Sequence, residues 1–287
     1  MKKSIALVLL VAGCSLERNH SIEAMNRGVE FGRQKLFDSA IKELQAATAL
    51  DPTNAAAYYN LGIVYKDKKS WPDAARAFGE AGKLDSTNPA LQYERGNALY
   101  EDKKYPEAQK AFEEAVKLDP KLYKAHYRLG VVLQVQAPEL SPQEEQSKNR
   151  AADAEYRKAI EAQPRFVQAY VKLGDLYLDY EYDKEAAQVF RNAILVDDHN
   201  ADAHMGLGEA LENLKQYEEA IKEFQAAKEI DNRQFLAVYN MGHVYRLLGD
   251  KKKAKELLET FVKDYATTSG PELVRVAKDE LYALDAP

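Results

Sequence analysis

The sequence predicts an all-α fold of about seven stacked helix pairs with a closing helix, and three observations carry that prediction. One pattern of residues recurs at steps of 34 along most of the chain. Within each period a glycine keeps its place in a first amphipathic stripe: Gly28, Gly62, Gly96, Gly130, Gly174, Gly208 and Gly242. A second stripe opens on Ala40, Ala74, Ala108, Ala152, Ala186, Ala220 and Ala254, and four residues later carries Leu44, Phe78, Phe112, Tyr156, Phe190, Phe224 and Leu258. Two short amphipathic helices cannot bury their apolar faces alone, so the unit needs copies of itself, and the chain supplies them.

The first stretch is of a different kind. Lys2 and Lys3 form a basic start and Ile5 to Ala12 a short apolar run, far below the ~20 residues that cross a bilayer. Residues 1–13 therefore read as a signal peptide. Val11-Ala12-Gly13-Cys14 resembles the bacterial lipobox, which implies acylation of Cys14 as the mature N-terminus. Ser15 in second place implies, by resemblance to Gram-negative lipoproteins, the outer membrane on its periplasmic side. Residues 14–20 are then the lipidated cysteine and a short tether. Five extended residues, Ser15 to Asn19, would reach roughly 17 Å.

The repeats follow as 21–54, 55–88, 89–122, 123–166, 167–200, 201–234 and 235–268. The second repeat shows their logic: Tyr58, Leu61, Gly62 and Tyr65 share one helical stripe, and Ala74, Phe78 and Ala81 share the next. Pro72 opens that second helix, where the missing N–H would have no partner anyway. The first repeat departs with Ala24 and Arg27, and the last with Met241 and Phe261, as terminal repeats facing water should. Repeat four carries a ten-residue insertion, APELSPQEEQSKN over Ala137 to Asn149. Ser141, Pro142 and Glu144 form an N-cap, a first-turn proline and a capping-box acid, so its second helix is expected from Pro142 to about Ala162. Residues 269–287 read as a capping helix with Leu273, Val276, Ala277, Leu281 and Leu284 on one face.

The glycine, the alanine with an aromatic four residues on, and the closing Pro52, Pro120 and Pro164 resemble the tetratricopeptide repeat (TPR) family. The resemblance covers nearly all of the chain after the signal and implies a right-handed α-solenoid whose inner surface is lined by first helices. One column there reads Met25, Tyr59, Tyr93, Tyr127, Val171, Met205 and Tyr239; the slot four residues on reads Val29, Ile63, Asn97, Val131, Asp175, Glu209 and His243. The resemblance thus implies a groove made by Tyr59, Tyr93, Asn97, Tyr100, Lys124, Tyr127, Arg128, Asp175, Asp202, Glu209 and Tyr239. Its first half is aromatic, and Asp175, Asp179, Asp202, Glu209 and Glu212 make repeats five and six acidic. The expected occupant is an extended or helical protein segment, apolar toward one end and basic opposite those acids. Lys124 and Arg128 match part of the family's chaperone-type carboxylate clamp, but Glu94, Tyr59 and Ile63 stand where its other residues belong.

Composition narrows the function further. The chain has a formal charge of −6, or −8 without Lys2 and Lys3, with no basic stripe for nucleic acid. Cys14 is the only cysteine, so the repeats hold neither thiol nor disulfide. There is no Gly-rich phosphate loop and no convergent nucleophile, base and orienting group, so no enzyme, cofactor or metal is expected. His126 and His204 occupy the slot where the family often has Trp, and Trp71 lies in a turn; all three read as structural. Asp197, Asp198, His199, Asp202 and His204 crowd one repeat junction, where turn-and-cap chemistry explains the acids and the spacing matches no closed metal site. The expectation is a lipid-anchored scaffold for envelope assembly. The sharper alternatives are a likeness to the type IV pilus pilotins, which carry secretin subunits, and an adaptor for peptidoglycan enzymes.

Overall fold

The computed structural model describes residues 2–139, 141–231, 234–265 and 270–285, with the side chains of 2–15, 139 and 285 outside that description. The described residues form fifteen α-helices, a 3₁₀ turn at Ala137–Glu139, and no strand. In order they are α1 (Lys2–Arg33), α2 (Phe37–Leu50), α3 (Ala55–Asp67), α4 (Trp71–Leu84), α5 (Pro89–Glu101), α6 (Tyr105–Leu118), α7 (Tyr123–Gln136) and α8 (Pro142–Ala162). There follow α9 (Val167–Asp179), α10 (Asp183–Val196), α11 (Ala201–Asn213), α12 (Tyr217–Ile230), α13 (Phe235–Leu247), α14 (Lys251–Tyr265) and α15 (Pro271–Asp285). Two compact units, Met1–Glu155 and Tyr156–Pro287, divide inside α8. Each is a run of helix pairs, with odd-numbered first helices and even-numbered second helices as far as α14.

Local chemistry sets the boundaries. Asn54, Asn88 and Asn200 accept from the amides of Ala57, Ala90 and Ala203 at 3.0, 3.1 and 2.9 Å, satisfying donors that the first helical turn leaves free. Pro72 and Pro106 sit in the first turns of α4 and α6. Within each pair except α7–α8, the chain reverses through one left-handed residue among the described residues. At Lys69 φ is 60°, and the amide of Ser70 reaches back to the Tyr65 carbonyl at 2.8 Å to close α3. Gly249 does the same work in repeat seven at φ 79°, where glycine carries none of the steric cost that a side chain brings.

Packing explains the two recurring columns. A Cβ at Gly62 would lie 2.6 Å from the Phe78 ring, and one at Gly96 equally close to Phe112. Each aromatic ring therefore fills the space left by the glycine of its own repeat. Phe78 and Phe112 in the first unit, and Phe190 and Phe224 in the second, have no exposed surface. Each such burial contributes about 1.5–3 kcal/mol.

Repeat four has the long second helix expected of it. The hydroxyl of Ser141 donates to Glu144 at 2.6 Å, and its amide to the same carboxylate at 3.2 Å. The extra turns are tied down: Lys148 Nζ donates to Gln109 Oε1 on α6 at 2.7 Å, and Gln136 of α7 donates to the same oxygen at 3.1 Å. At the other end α15 closes repeat seven, with Ala277 fully buried among Val238, Leu258 and Phe261.

One expectation is corrected. Leu16 to Asn19 are not an extended tether but part of α1, so they rise by about 1.5 Å per residue instead of twice that. Ser21 explains why the helix is already docked there: its buried hydroxyl donates to the Ala47 carbonyl at 2.8 Å and accepts from Asn54 at 3.0 Å. The side chains of residues 2–15, on which the expected signal peptide and the expected acylation of Cys14 depend, lie outside the described residues. Among the described residues no helix is long and apolar enough to cross a membrane.

Candidate functional site

The first helices place their solvent-facing side chains in columns, because residues at i, i+4 and i+7 share one stripe. In the first unit that stripe carries Tyr59, Ile63 and Lys66 on α3, and Tyr93, Asn97 and Tyr100 on α5. Tyr127 continues it on α7. The tyrosines are not free-standing. The Tyr59 ring lies 5.8 Å from Phe78 and the Tyr93 ring 6.1 Å from Phe112, so each packs one edge on the buried aromatic of its own repeat. The remainder faces outward, with Tyr59 still 36% exposed.

Successive first helices also touch through a repeating pair. Lys66 Nζ meets Glu94 Oε2 at 2.9 Å, and 34 residues on the Arg128 guanidinium stands 5.4 Å over the Tyr100 ring. Position 12 of one repeat thus engages position 6 of the next. Lys124 leans over Tyr123 instead, at 5.9 Å, so Lys124 and Arg128 are drawn to different rings rather than to a shared anion. Asn97 Oδ1 is buried on this face without a hydrogen-bond partner among the described residues.

In the second unit the stripe turns acidic, as expected, but its acids divide. Burial, with Asp175 and Glu212 nearby, pushes the Glu209 carboxyl from 4.5 up to about 7. Burial also raises Glu212, against the pull of His243. Asp175 is matched by Lys172 at 2.9 Å. Asp202 does not join them: it sits exposed in the first turn of α11 and accepts from Gln234 at 3.2 Å. Tyr239 is not open groove either. Its hydroxyl donates to Glu280 of α15 at 3.0 Å, and burial together with that carboxylate pushes its pKa up to about 12.

Glu280 anchors a group that the columns alone did not reveal. Its Oε1 also meets His243 Nδ1 at 2.7 Å, and its Oε2 accepts from Arg246 Nε at 2.9 Å. Burial by itself would raise the Glu280 carboxyl, but bonds and charge from His243 and Arg246 outweigh it and hold it below its ordinary value. The Glu280 hydrogen bond raises His243 in return, and Glu212 Oε1 approaches its other ring nitrogen at 3.5 Å. The available signal was Arg246, which stands at the same place in its repeat as Lys66.

His126 and His204 are buried, as the packing reading required, and each has a partner on its second helix. His126 Nδ1 lies 2.6 Å from Glu155 Oε2, and His204 Nδ1 lies 2.7 Å from Glu223 Oε2. Each glutamate follows the column alanine by three residues, and each second ring nitrogen meets a backbone carbonyl, of Pro120 or Asp198. Both ring nitrogens of His204 are thereby engaged, and it stands outside the exposed side-chain group of Asp197, Asp198 and His199. Those three lie within 4.8 Å of one another on the turn, where Asp197 accepts the His199 amide at 3.2 Å.

Family profiles agree with the repeat pattern. One described as TPR repeat matches residues 33–69 and 96–136, and two described as tetratricopeptide repeat match 184–234 and 236–268. The human protein O-mannosyl-transferase TMTC3 is 33% identical over 112 residues, which is 39% of this chain and 12% of that protein's length. Among solved structures, the MamA protein matches at 25% identity and a TM-score of 0.56, covering 63% of this chain and 94% of its own. YrrB, described as a TPR protein with an unusual peptide-binding site, matches at 23% and 0.57, covering 72% and 100%. A tetratricopeptide repeat protein from Parabacteroides merdae matches at 15% and 0.63, covering 93% and 100%. With the helix pairs, the glycine–aromatic packing and these profiles together, the chain belongs to the tetratricopeptide-repeat proteins.

Proposed function

We propose that the protein is a scaffold that holds a segment of another polypeptide along its first-helix faces. The observation that carries this reading is the part-exposed tyrosine stripe of the first unit, Tyr59, Tyr93 and Tyr127, beside the unsatisfied Asn97 oxygen. The Tyr59 and Tyr93 rings, fixed from behind by Phe78 and Phe112, offer contact area with little entropy left to lose, which suits an extended or helical guest. YrrB's described peptide-binding site is consistent with that use of the fold. In the second unit Glu209 and Glu212 favour a guest that brings basic residues, because a nearby cation offsets the burial that pushes these two carboxyls up.

The proposal includes an anchor: acyl chains on Cys14 holding the repeats against the outer membrane on its periplasmic side. The lipobox-like Val11 to Cys14 supports it. Such a position serves assembly in the envelope, and two guests suit it: a secretin subunit, which would make the protein pilotin-like, or an enzyme of peptidoglycan metabolism. Cross-linking in the native envelope followed by mass spectrometry identifies the guest. Replacing Tyr59, Tyr93 and Tyr127 together by alanine should abolish its capture while helicity is kept; undiminished capture refutes the groove. A Cys14→Ala protein should leave the membrane fraction, and if it stays there the anchor is wrong.

A further inference from the structure

We propose that Tyr239, His243 and Arg246 form a carboxylate-binding site on the first-helix face of repeat seven, that Glu280 fills it in cis, and that an acidic helix of the guest takes it by displacing α15. This rests on the reading of the first-helix face as the binding face.

The geometry is that of an occupied ligand site. Three donors spaced i, i+4 and i+7 on α13 converge on one carboxylate and use both of its oxygens, at 3.0, 2.7 and 2.9 Å. They stand in the columns that hold Tyr59, Ile63 and Lys66 in repeat two. Arg246 meets an acid of the next helix as Lys66 meets Glu94, though 34 residues on instead of 28, so α15 lies where the first helix of a following repeat would, in a different register. It fills that place lightly. Ala277 is its one fully buried side chain among the described residues, with Leu273, Leu281 and Leu284 partly covered, whereas α11 in the equivalent place on repeat five buries eight residues. Pro271, Glu272, Arg275, Lys278, Asp279 and Tyr282 face solvent.

Releasing α15 would uncover a guanidinium and an imidazole. Glu212 of α11, 3.5 Å from His243, is the other acid facing them, while α14 meets α15 through Phe261, Val262 and Tyr265. Charge complementarity therefore selects an incoming carboxylate, and the place left open selects a helix.

The test uses the full chain and a fluorescent peptide with the sequence of residues 271–285 as the acidic-helix probe. In Glu280→Gln, amides of α15 should exchange about tenfold faster with solvent water, as loss of a charge-assisted hydrogen-bond set implies. The same chain should bind the peptide about tenfold more tightly than the unmodified one. Leu284→Ala, which loosens α15 without touching the site, should also raise peptide affinity. A peptide with Gln in place of Glu280 should bind to neither variant. Unchanged exchange, or equal peptide affinity in all three chains, overturns the proposal and leaves α15 a permanent cap. A Glu280→Gln dimer by sedimentation overturns it too, since α15 would then pass between copies. Neither result touches the tyrosine test in the first unit, so failure here and failure of the groove are separable.

Discussion

Replacing Glu209 by glutamine should stabilise the second unit at alkaline pH and leave it unchanged in acid. The Glu209 carboxyl lies on α11 with Asp175 and Glu212 as like-charged neighbours, and its pKa stands at about 7 instead of 4.5. The folded state thus holds a proton that the unfolded chain has released, so the cost of Glu209 is absent below pH 4.5, grows as pH rises to 7, and is fully present above. At ~1.4 kcal/mol for each tenfold change in proton affinity, that rise amounts to ~3 kcal/mol, an upper figure because part of the group meets water. Glutamine keeps the shape and a partner for Asn240 but has no proton to lose. Urea unfolding followed by circular dichroism at pH 4.5 and pH 8.5 measures the difference. The two proteins should agree at the lower pH and diverge by up to ~3 kcal/mol at the higher. An equal effect at both values would refute the argument, since a packing change carries no pH dependence of this sign.

Gly96→Ala drives a methyl to 2.6 Å from Phe112 and should cost about 1–3 kcal/mol, whereas Gly79→Ala, whose nearest neighbour is Arg95 Nε at 3.7 Å, should stabilise α4 by about 1 kcal/mol; chemical denaturation ranks them. Lys69→Gly relieves a side chain held at φ 60° and should raise stability by about 1 kcal/mol in the same assay. Glu155→Ala strands buried His126 and should cost about 1–3 kcal/mol, read as a lowered melting temperature. Docking of α15 should be strongest at intermediate pH. The His243 contribution, with its pKa raised, is full below the ordinary 6.5 and fades as pH climbs through the raised value; that of Glu280, lowered, fades as pH falls through its own value. Protection factors of α15 amides, corrected for intrinsic exchange, should therefore fall on both sides, and a monotonic trend would contradict the Glu280 contacts.

The N-cap asparagines, the first-turn prolines and the Ser141–Glu144 pair are local signals, and they placed helix starts because the groups they satisfy lie within four residues. The glycine and aromatic columns were legible for a related reason: one packing solution repeated with a fixed period leaves the same mark each time. The candidate face was legible in part. Tyr59, Tyr93 and Asn97 stand on the stripe assigned to them, but Asp202 is spent at a helix start and Tyr239 is already bonded. Glu280 carried no sequence signal of its own, since an acid on an amphipathic helix is usually solvated, and Leu16 to Asn19 gave none for helix until Ser21 met Ala47 and Asn54.

By itself the sequence determined the period, the helix pairs and the residues that each pair buries, because these depend on contacts within one repeat or with its neighbour. Only the tertiary structure decided which surface side chains were already taken. Glu280 lies 34 residues beyond Arg246, on a helix whose register over α13 depends on how Ala277 and Leu281 seat against Val238 and Phe261. Hydrogen bonds tolerate a few tenths of an ångström, and no pattern of residue types specifies a docking angle that finely.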